Sequence, residues 1–334
     1  NNVYPLPAVF YAARSRGNLT WGVGALTMGG MGADYSLTHA LLGPSQRYHS
    51  KFGLMRGGAA AAWQATSKIA VGATAGLLYG QLEFATPYAV NPAALAGLAG
   101  LAQDPAYGPL LAGFQEAIAY ADMSGLSGVG FTGSLSVAVQ ASPSLSLALA
   151  YTLPTTLTMG GGTAAMDMNA QFGQLYAGMV AAHGGNTALV NGQLASFGLN
   201  LAAGMATAYD VEVDFGVPQT LTLALGYRRS PRLGLGLDIG WAGYQKAFDQ
   251  FPIRLTNGTS GNINILVNGS PSTTTFTTAW PLRWKDSWTV RAGGEYAATR
   301  ALTLRGGVIY NTNPVASEGL FTIFPAIVKN AVTL

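Results

Sequence analysis

Three carboxylates stand at alternate positions in "YDVEVDFGVP": Asp210, Glu212 and Asp214, with Val211, Val213 and Phe215 on the opposite face. Paired carboxylates can be the acid and base of glycoside hydrolysis, but that chemistry needs them across a sugar, usually from different strands. Three on one strand face more often line a pore mouth or hold lipopolysaccharide through divalent ions. His39, His49 and His183 fall in no metal-ligand spacing and read as loop residues. Cysteine is absent, which removes thiol chemistry, thiolate metal sites and disulfides, and suits a periplasm-exposed chain. "GGMG" at 29–32 lacks the following helix and βαβ frame of a dinucleotide loop, and no nucleophile elbow or P-loop is present. No enzyme, metal or cofactor is expected from this inventory.

A second set of charges is placed by the strand pleat. In "SWTVRAGGEY" the residues Trp288, Val290, Ala292 and Tyr296 share one side, which puts Arg291 and Glu295 on the other. "LTLRGGVIY" does the same for Arg305, "LGLGLDIGW" for Asp238 and "LALGYR" for Arg228. A charge on a lipid face near midplane would cost about 2–4 kcal/mol, so all five are expected in a lumen. There they can pair across strands and stiffen the wall, or meet a ligand carboxylate, for which Arg291 and Arg305 are the candidates.

The elements carrying these charges must be membrane strands. The chain has 334 residues, 9% of them charged, 45 glycines and a mean hydropathy of +0.27. Soluble domains carry roughly 25% charged residues. No apolar run of about 18 residues exists to cross as a helix, and a closed β-barrel is the other structure that satisfies a backbone in lipid. Net charge is +3 with no basic run, so nucleic acid is not an expected partner. Alternating runs such as "SLSLALAY", with Leu145, Leu147, Leu149 and Tyr151 on one side, predict ten strands. They lie at about 3–13, 19–34, 50–64, 68–84, 128–141, 144–159, 208–228, 233–254, 283–298 and 301–313. Tight turns at 65–68, 141–143, 229–232 and 298–300 belong on the periplasmic side.

The opposite ends are long. Segments 85–127 and 160–207 space their apolar residues by three and four, which predicts helical extracellular loops. Leu95, Leu98, Leu101, Leu110, Phe114 and Ile118 from the first, and Phe172, Leu175, Met179, Leu194, Phe197 and Leu201 from the second, are candidates to line a groove for hydrophobic ligands. Mutual packing that closes the loops is the competing role for each. Met28, Gly29, Gly30, Met31 and Gly32 mark a weakened or bulged point in an otherwise regular strand. No signal-peptide pattern opens the chain and no aromatic residue ends it, so it is expected to be a mature chain or part of a longer one.

Several stretches together resemble the outer-membrane transporters for hydrophobic compounds typified by the long-chain fatty-acid transporter FadL. They are "WKDSWTVRAGGEYAATRALTLRGGVIYNTNPVASEGLFTIFPAI", "DFGVPQTLTLALGYRRSPRLGLGLDIGW", "PLPAVFYAARSRGNLTWGVGALTMGG" and "AAWQATSKIAVGATAGLLYG", in collinear order over more than half the chain. The resemblance implies a fourteen-stranded barrel in a Gram-negative outer membrane, an N-terminal hatch, a capture groove on the two helical loops, and a kinked third strand that releases ligand sideways. That kink would correspond to Met28–Gly32. Residues 1–334 then read as one barrel domain lacking the hatch and the first and last strands, since ten strands fall four short and the Asn91-Pro92-Ala93 element lies in a loop. Long-chain fatty acids or aromatic hydrocarbons are the implied ligands, with outer-membrane lipid or lipopolysaccharide as surroundings. Two other readings stay open: a structural barrel whose apolar loops dock a partner protein, and a general porin, which the scarcity of charge disfavours.

Overall fold

The computed structural model describes residues 6–15, 17–90, 102–103, 105, 107–111, 116–315 and 330–333. Among the described residues, fifteen strands form one curled antiparallel sheet, the wall of a β-barrel. They are β1 (Ala8–Arg14), β2 (Leu19–His39), β3 (Gly43–Gln64), β4 (Ile69–Val90), β5 (Ala117–Ser142), β6 (Leu145–Thr152), β7 (Thr155–Asp167), β8 (Ala206–Val217), β9 (Thr220–Ser230), β10 (Leu233–Ala242), β11 (Gln250–Thr256), β12 (Phe276–Pro281), β13 (Ser287–Ala297), β14 (Thr303–Thr312) and β15 (Asn330–Thr333).

The expected count of ten is too low for two reasons. Three of the expected strands each divide in two, and β12 and β15 add two more. The divisions are at Pro154, at Pro218 and at a helical turn, Tyr244–Ala247. Proline has no N–H to give the ladder, so each proline ends a run of pairing that the alternation alone would carry through.

These breaks fall side by side and split the wall into two levels. The lower level follows the order β1-β2-β3-β4-β5-β6-β9-β10-β13-β14-β15, and the upper one branches off through β7, β8, β11 and β12. β5 serves both, pairing Ser134–Ser142 with β6 and Tyr120–Ser127 with β7. In the lower level the outward residues are large and apolar, among them Leu149, Leu223, Leu237, Trp288, Val290 and Leu304, all exposed. β9 has 11 residues and β10 has 10, close to the 9–11 that cross a bilayer in a tilted strand. Tight turns join β1–β2, β3–β4, β5–β6, β9–β10 and β13–β14 at one end.

The upper level inverts that pattern, since its inward face is the buried one. Leu157 and Met159 of β7, Tyr209, Val211 and Val213 of β8, and Ile253 and Leu255 of β11 alternate with exposed residues and meet Phe52, Leu54, Leu78, Leu82 and Phe84 from β3 and β4. Helices Asn169–Ala182 and Thr187–Ser196 cap this core with Phe172, Leu175, Met179, Val190 and Leu194. Asn186 caps the second helix, its side chain accepting from Leu189 N–H at 3.0 Å.

Loop boundaries also move. β4 runs to Val90 and β5 begins at Ala117, so Ile118 lies on a strand where a helix was expected. The alanine-rich "EAIAYA" favours helix locally, but pairing of Ala117–Ala121 with Thr86–Val90 overrides it. Likewise 160–167 is the end of β7, and the second α-helix of the loop stops at Ser196, before Gly198 at φ +76°, with a short 3-10 turn at Leu201–Ala203 following. The first expected helix, within 91–101, lies outside the described residues. A helix that was not expected, Gly261–Asn268, is signed in the sequence by Ser260 at its N-cap and Gly269 at its left-handed C-terminus.

Leu194 is fully buried at the centre of the cap, so Leu194→Ala is expected to destabilise the extracellular half by about 2–5 kcal/mol. Denaturant unfolding in detergent, followed by near-ultraviolet dichroism, checks this.

Candidate functional site

The candidate groove residues converge on the upper core. Phe172, Leu175, Met179, Leu194 and Leu201 are buried in it, and Leu110 and Phe197 pack against it; Ile118 is buried too, but alternates on β5 with Ala117 and Ala119, which belong to that core while it does not. Leu95, Leu98, Leu101 and Phe114 lie outside the described residues. Buried Gln171 clamps the helical loop to the barrel: its side-chain oxygen accepts from Ile118 N–H at 2.8 Å and its amide donates to Glu116 O at 2.7 Å. Tyr107, also buried, donates to Gln193. Among the described residues the buried polar side chains are Ser50, Thr86, Thr132, Thr155, Gln171, Thr207, Asn264 and Ser287. None of these carries a charge.

Phe197 reaches a cavity at the rim, of about 430 Å³, shared with Asn262, Ile265 and Pro271. Asn262 holds its two walls together, donating to Asn200 O at 2.7 Å and Gly204 O at 3.0 Å and accepting from Asn200 N–H at 2.9 Å. Sequence reasoning missed this wall because the Gly261–Asn268 helix was not anticipated.

A run of aromatic rings, also missed, forms the floor of the core at the level of the strand breaks. Phe52 stacks on Phe215 at 4.5 Å, Phe215 meets Phe248 edge-on at 5.1 Å, and Phe248 stacks on Trp284 at 4.5 Å, with Tyr244 5.8 Å from Trp284. A second cluster gathers Phe84, Tyr88 and Phe251 around Trp280. Offset and edge-on contacts of this kind contribute about 0.5–1.5 kcal/mol each beyond burial. The rings come from segments far apart in sequence, so no local pattern joins them.

In the lower level lies a polar cavity of about 1190 Å³. Arg228, Asp238, Arg291, Glu295 and Arg305 all line it. Glu295 sits between two guanidinium groups, 3.2 Å from Arg228 and 3.4 Å from Arg305. Gly234 lies opposite Glu295 in register and leaves room for this pair. Asp238 faces Arg291 in register across β10 and β13, without an ion-pair contact between them. Three cations against two anions leave the group at +1.

At Met28–Gly32 the two edges of β2 differ. Toward β3 the ladder continues through Gly29↔Leu54, Gly30↔Gly53, Met31↔Phe52 and Gly32↔Lys51, with a register shift that leaves Met28 as a one-residue bulge. Toward β1 the pairing runs from Arg14↔Thr20 to Ala8↔Leu26 and is followed by Thr27 N–H donating to Pro7 O at 3.0 Å; residues 1–5 lie outside the described residues. Met28 and Met31 are exposed there.

The outer face of the upper level carries the carboxylates. Asp210, Glu212 and Asp214 are exposed; Asn257 donates to Asp210 and Thr158 to Asp214, each at 2.6 Å, and Arg254 makes a loose ion pair with Glu212 at 3.8 Å. They face away from the apolar core, and among the described residues no three His, Cys, Asp or Glu side chains converge as a metal site. Farther round, Arg47 forks onto Asp34 with both bonds at 2.9 Å. That bidentate pairing holds the Asp34 carboxyl below its ordinary range and the Arg47 guanidinium above its own.

A family model described as outer membrane protein transport protein (OMPP1/FadL/TodX) matches residues 2–325. Among solved structures, the Ralstonia pickettii toluene transporter TbuX superposes at TM-score 0.62 with 18% identity, over 93% of this chain and 72% of that one. The Pseudomonas putida toluene transporter TodX gives 0.63 and 20%, over 98% and 72%. A FadL homologue of Pseudomonas aeruginosa gives 0.64 and 15%, over 93% and 61%. At such identities the likeness is one of fold. No curated protein matches the chain by sequence.

Two outcomes follow from this electrostatics. Arg228, Arg305 and Glu295 are all more than a third exposed, so Glu295→Gln is expected to change stability by less than about 1 kcal/mol, measured by thermal unfolding in detergent. Because the Arg47 hydrogen bonds hold the folded Asp34 carboxyl below its ordinary value of 3.8, the pairing contributes above that pH and is lost as pH falls through the lower folded value. Carboxyl chemical shifts followed across an acid titration check the sign.

Proposed function

The chain belongs to the OMPP1/FadL/TodX family of outer membrane transport proteins, and from that premise we propose that it is a passive channel for uncharged hydrophobic molecules, aromatic hydrocarbons ahead of fatty acids. The observation that carries this reading is an extracellular half filled by apolar and aromatic side chains with no charged group among its described buried residues. A fatty-acid carboxylate entering that interior would lose its water without gaining a cation, whereas a neutral ring loses nothing comparable. Burial at about 25 cal/mol per Å² of apolar surface supplies the attraction, and no energy-coupling element is needed.

In this reading the ligand is first held at the rim, where Phe197 borders an accessible cavity and Leu110 half-surfaces from the cap. Phe172, Leu175, Met179, Leu194 and Leu201 form the apolar medium behind it. The ligand then moves along the Phe52–Phe215–Phe248–Trp284 rings by displacing side chains rather than through an open bore. Release through the edge of β2 at Met28–Gly32 fits the one-residue bulge at Met28 and the open space around Gly29. The polar cavity below, with Arg291 and Arg305, would then lie off the hydrocarbon route. The protein has no catalytic step in this scheme. Docking of a partner protein on the loops is the rival, and it predicts no ligand flux.

Uptake of radiolabelled toluene and of a labelled long-chain fatty acid is compared between cells with the protein, cells without it, and cells with Phe215→Leu, which keeps bulk and removes a ring. Toluene uptake is expected to require the protein, to exceed fatty-acid uptake, and to fall in the variant. Identical toluene uptake in all three would end the transport reading, and fatty-acid uptake above that of toluene would reverse the assigned preference.

A further inference from the structure

The wall has a seam between the strand pair β8/β9 and the strand pair β10/β11. Below it the last rung is Thr220↔Ala242, and above it the first is Val213↔Ile253. Asp214–Gln219 lie between those rungs, where Gly243 N–H donates to Gln219 O at 3.0 Å. Pro218 and Pro252 border the gap and Pro154 stands on the neighbouring strand, so none of the three can give an N–H to close it. Where strand would be expected, the chain makes the short Tyr244–Ala247 turn. The turn is seated against β8 at Gly216, where a Cβ would come within 2.4 Å of Ala247 O, so glycine is needed for the contact. A cavity of about 230 Å³ opens at this seam, with Gly216, Pro218, Lys246 and Ala247 in its lining.

Two further facts give the seam a direction. β9 and β10 are each about one membrane crossing long, which puts the gap at their upper end, at the outer edge of the hydrocarbon. On the inner side, the aromatic run of the core ends at the same turn, through Tyr244 and Phe248. A ring-lined interior, a gap in the backbone ladder and the outer leaflet are thus in line. The turn's other bonds run to the opposite side, Gln245 N–H to Asp286 at 3.0 Å and Trp284 N–H to Phe248 O at 3.2 Å, so it can swing from β8 while staying tied to the β12–β13 connection.

We infer that the Tyr244–Ala247 turn gates a side portal between the aromatic interior and the outer leaflet, six ladders along the sheet from the β1–β2 ladder. The portal rests on the transport reading above and passes the same uncharged hydrophobes. It lets them leave, or arrive from, the lipid at a point where the ladder between β8/β9 and β10/β11 thins to the Gly243–Gln219 bond.

The absence of native cysteine makes the test direct. Lys246 and Gln250 are exposed in the cavity lining, so Lys246→Cys and, as a second position, Gln250→Cys introduce single thiols with little effect on folding. Each is labelled on cells with a bulky maleimide or with the small methyl methanethiosulfonate, and radiolabelled toluene uptake is read against Ser230→Cys on the periplasmic turn. The bulky label is expected to reduce uptake at both portal positions, the small one to leave it unchanged, and Ser230→Cys to respond to neither. Complete bulky labelling at both positions with undiminished uptake would overturn the portal while leaving transport intact. Failure of the unlabelled protein to exceed cells without it would instead remove the transport reading, and the portal with it.

Discussion

Lipid accepts no unpaired backbone amide, and the rest of this structure is arranged around that constraint. In the lower wall the constraint is met by continuous antiparallel ladders with large apolar residues turned outward. Above the membrane it lapses, because water can satisfy backbone groups there. The strands respond where the constraint ends: Pro154, Pro218 and the Tyr244–Ala247 turn interrupt three adjacent strands near a single level. A proline one turn lower would leave a carbonyl without a partner in hydrocarbon, at a cost of several kcal/mol.

The same boundary exchanges inside for outside. Below it, apolar side chains face out and the interior is polar, with Glu295 shared by Arg228 and Arg305. Above it, apolar side chains face in and the outer surface carries Asp34, Glu83, Asp210, Glu212 and Asp214 together with Arg47, Lys51 and Arg254. Each face is matched to its own solvent: bilayer or water outside, water or packed side chains inside. The aromatic run from Phe52 to Trp284 lies where the two interiors meet and keeps the polar cavity apart from the apolar one.

That separation bears on selectivity. Water and ions meet a packed apolar layer with no charge to lower the barrier, whereas a small hydrophobe meets a medium like itself. Rings held by stacking contacts of about 1 kcal/mol each can be displaced by a ligand ring that makes equivalent contacts. On the proposed routes, the edge of β2 at Met28–Gly32 and the seam at β8/β9–β10/β11 are where such a ligand would cross the wall. Glycine serves differently at each: Gly29 has open space around it, while Gly216 is required by close backbone approach.

Period-two patterning was sufficient to read the membrane half from sequence, because each strand there has a lipid face that must be apolar along its whole length. The common face of Arg228, Asp238, Arg291, Glu295 and Arg305 was legible for the same reason, as was the helix Asn169–Ala182 from its Phe172, Leu175, Met179 spacing. Sequence reasoning ran the strands straight through Pro154 and Pro218, since alternation resumes on both sides and only pairing shows the ladder is broken. Ile118 was misplaced on a helix because alanine propensity is local and the β4 edge that captures it is not. The aromatic floor and the seam under Tyr244–Ala247 were decided by tertiary structure alone: their members, from Phe52 to Trp284, come from β3, β8 and the connections flanking β11 and β12, and no spacing along a chain encodes which of them meet once the sheet has curled.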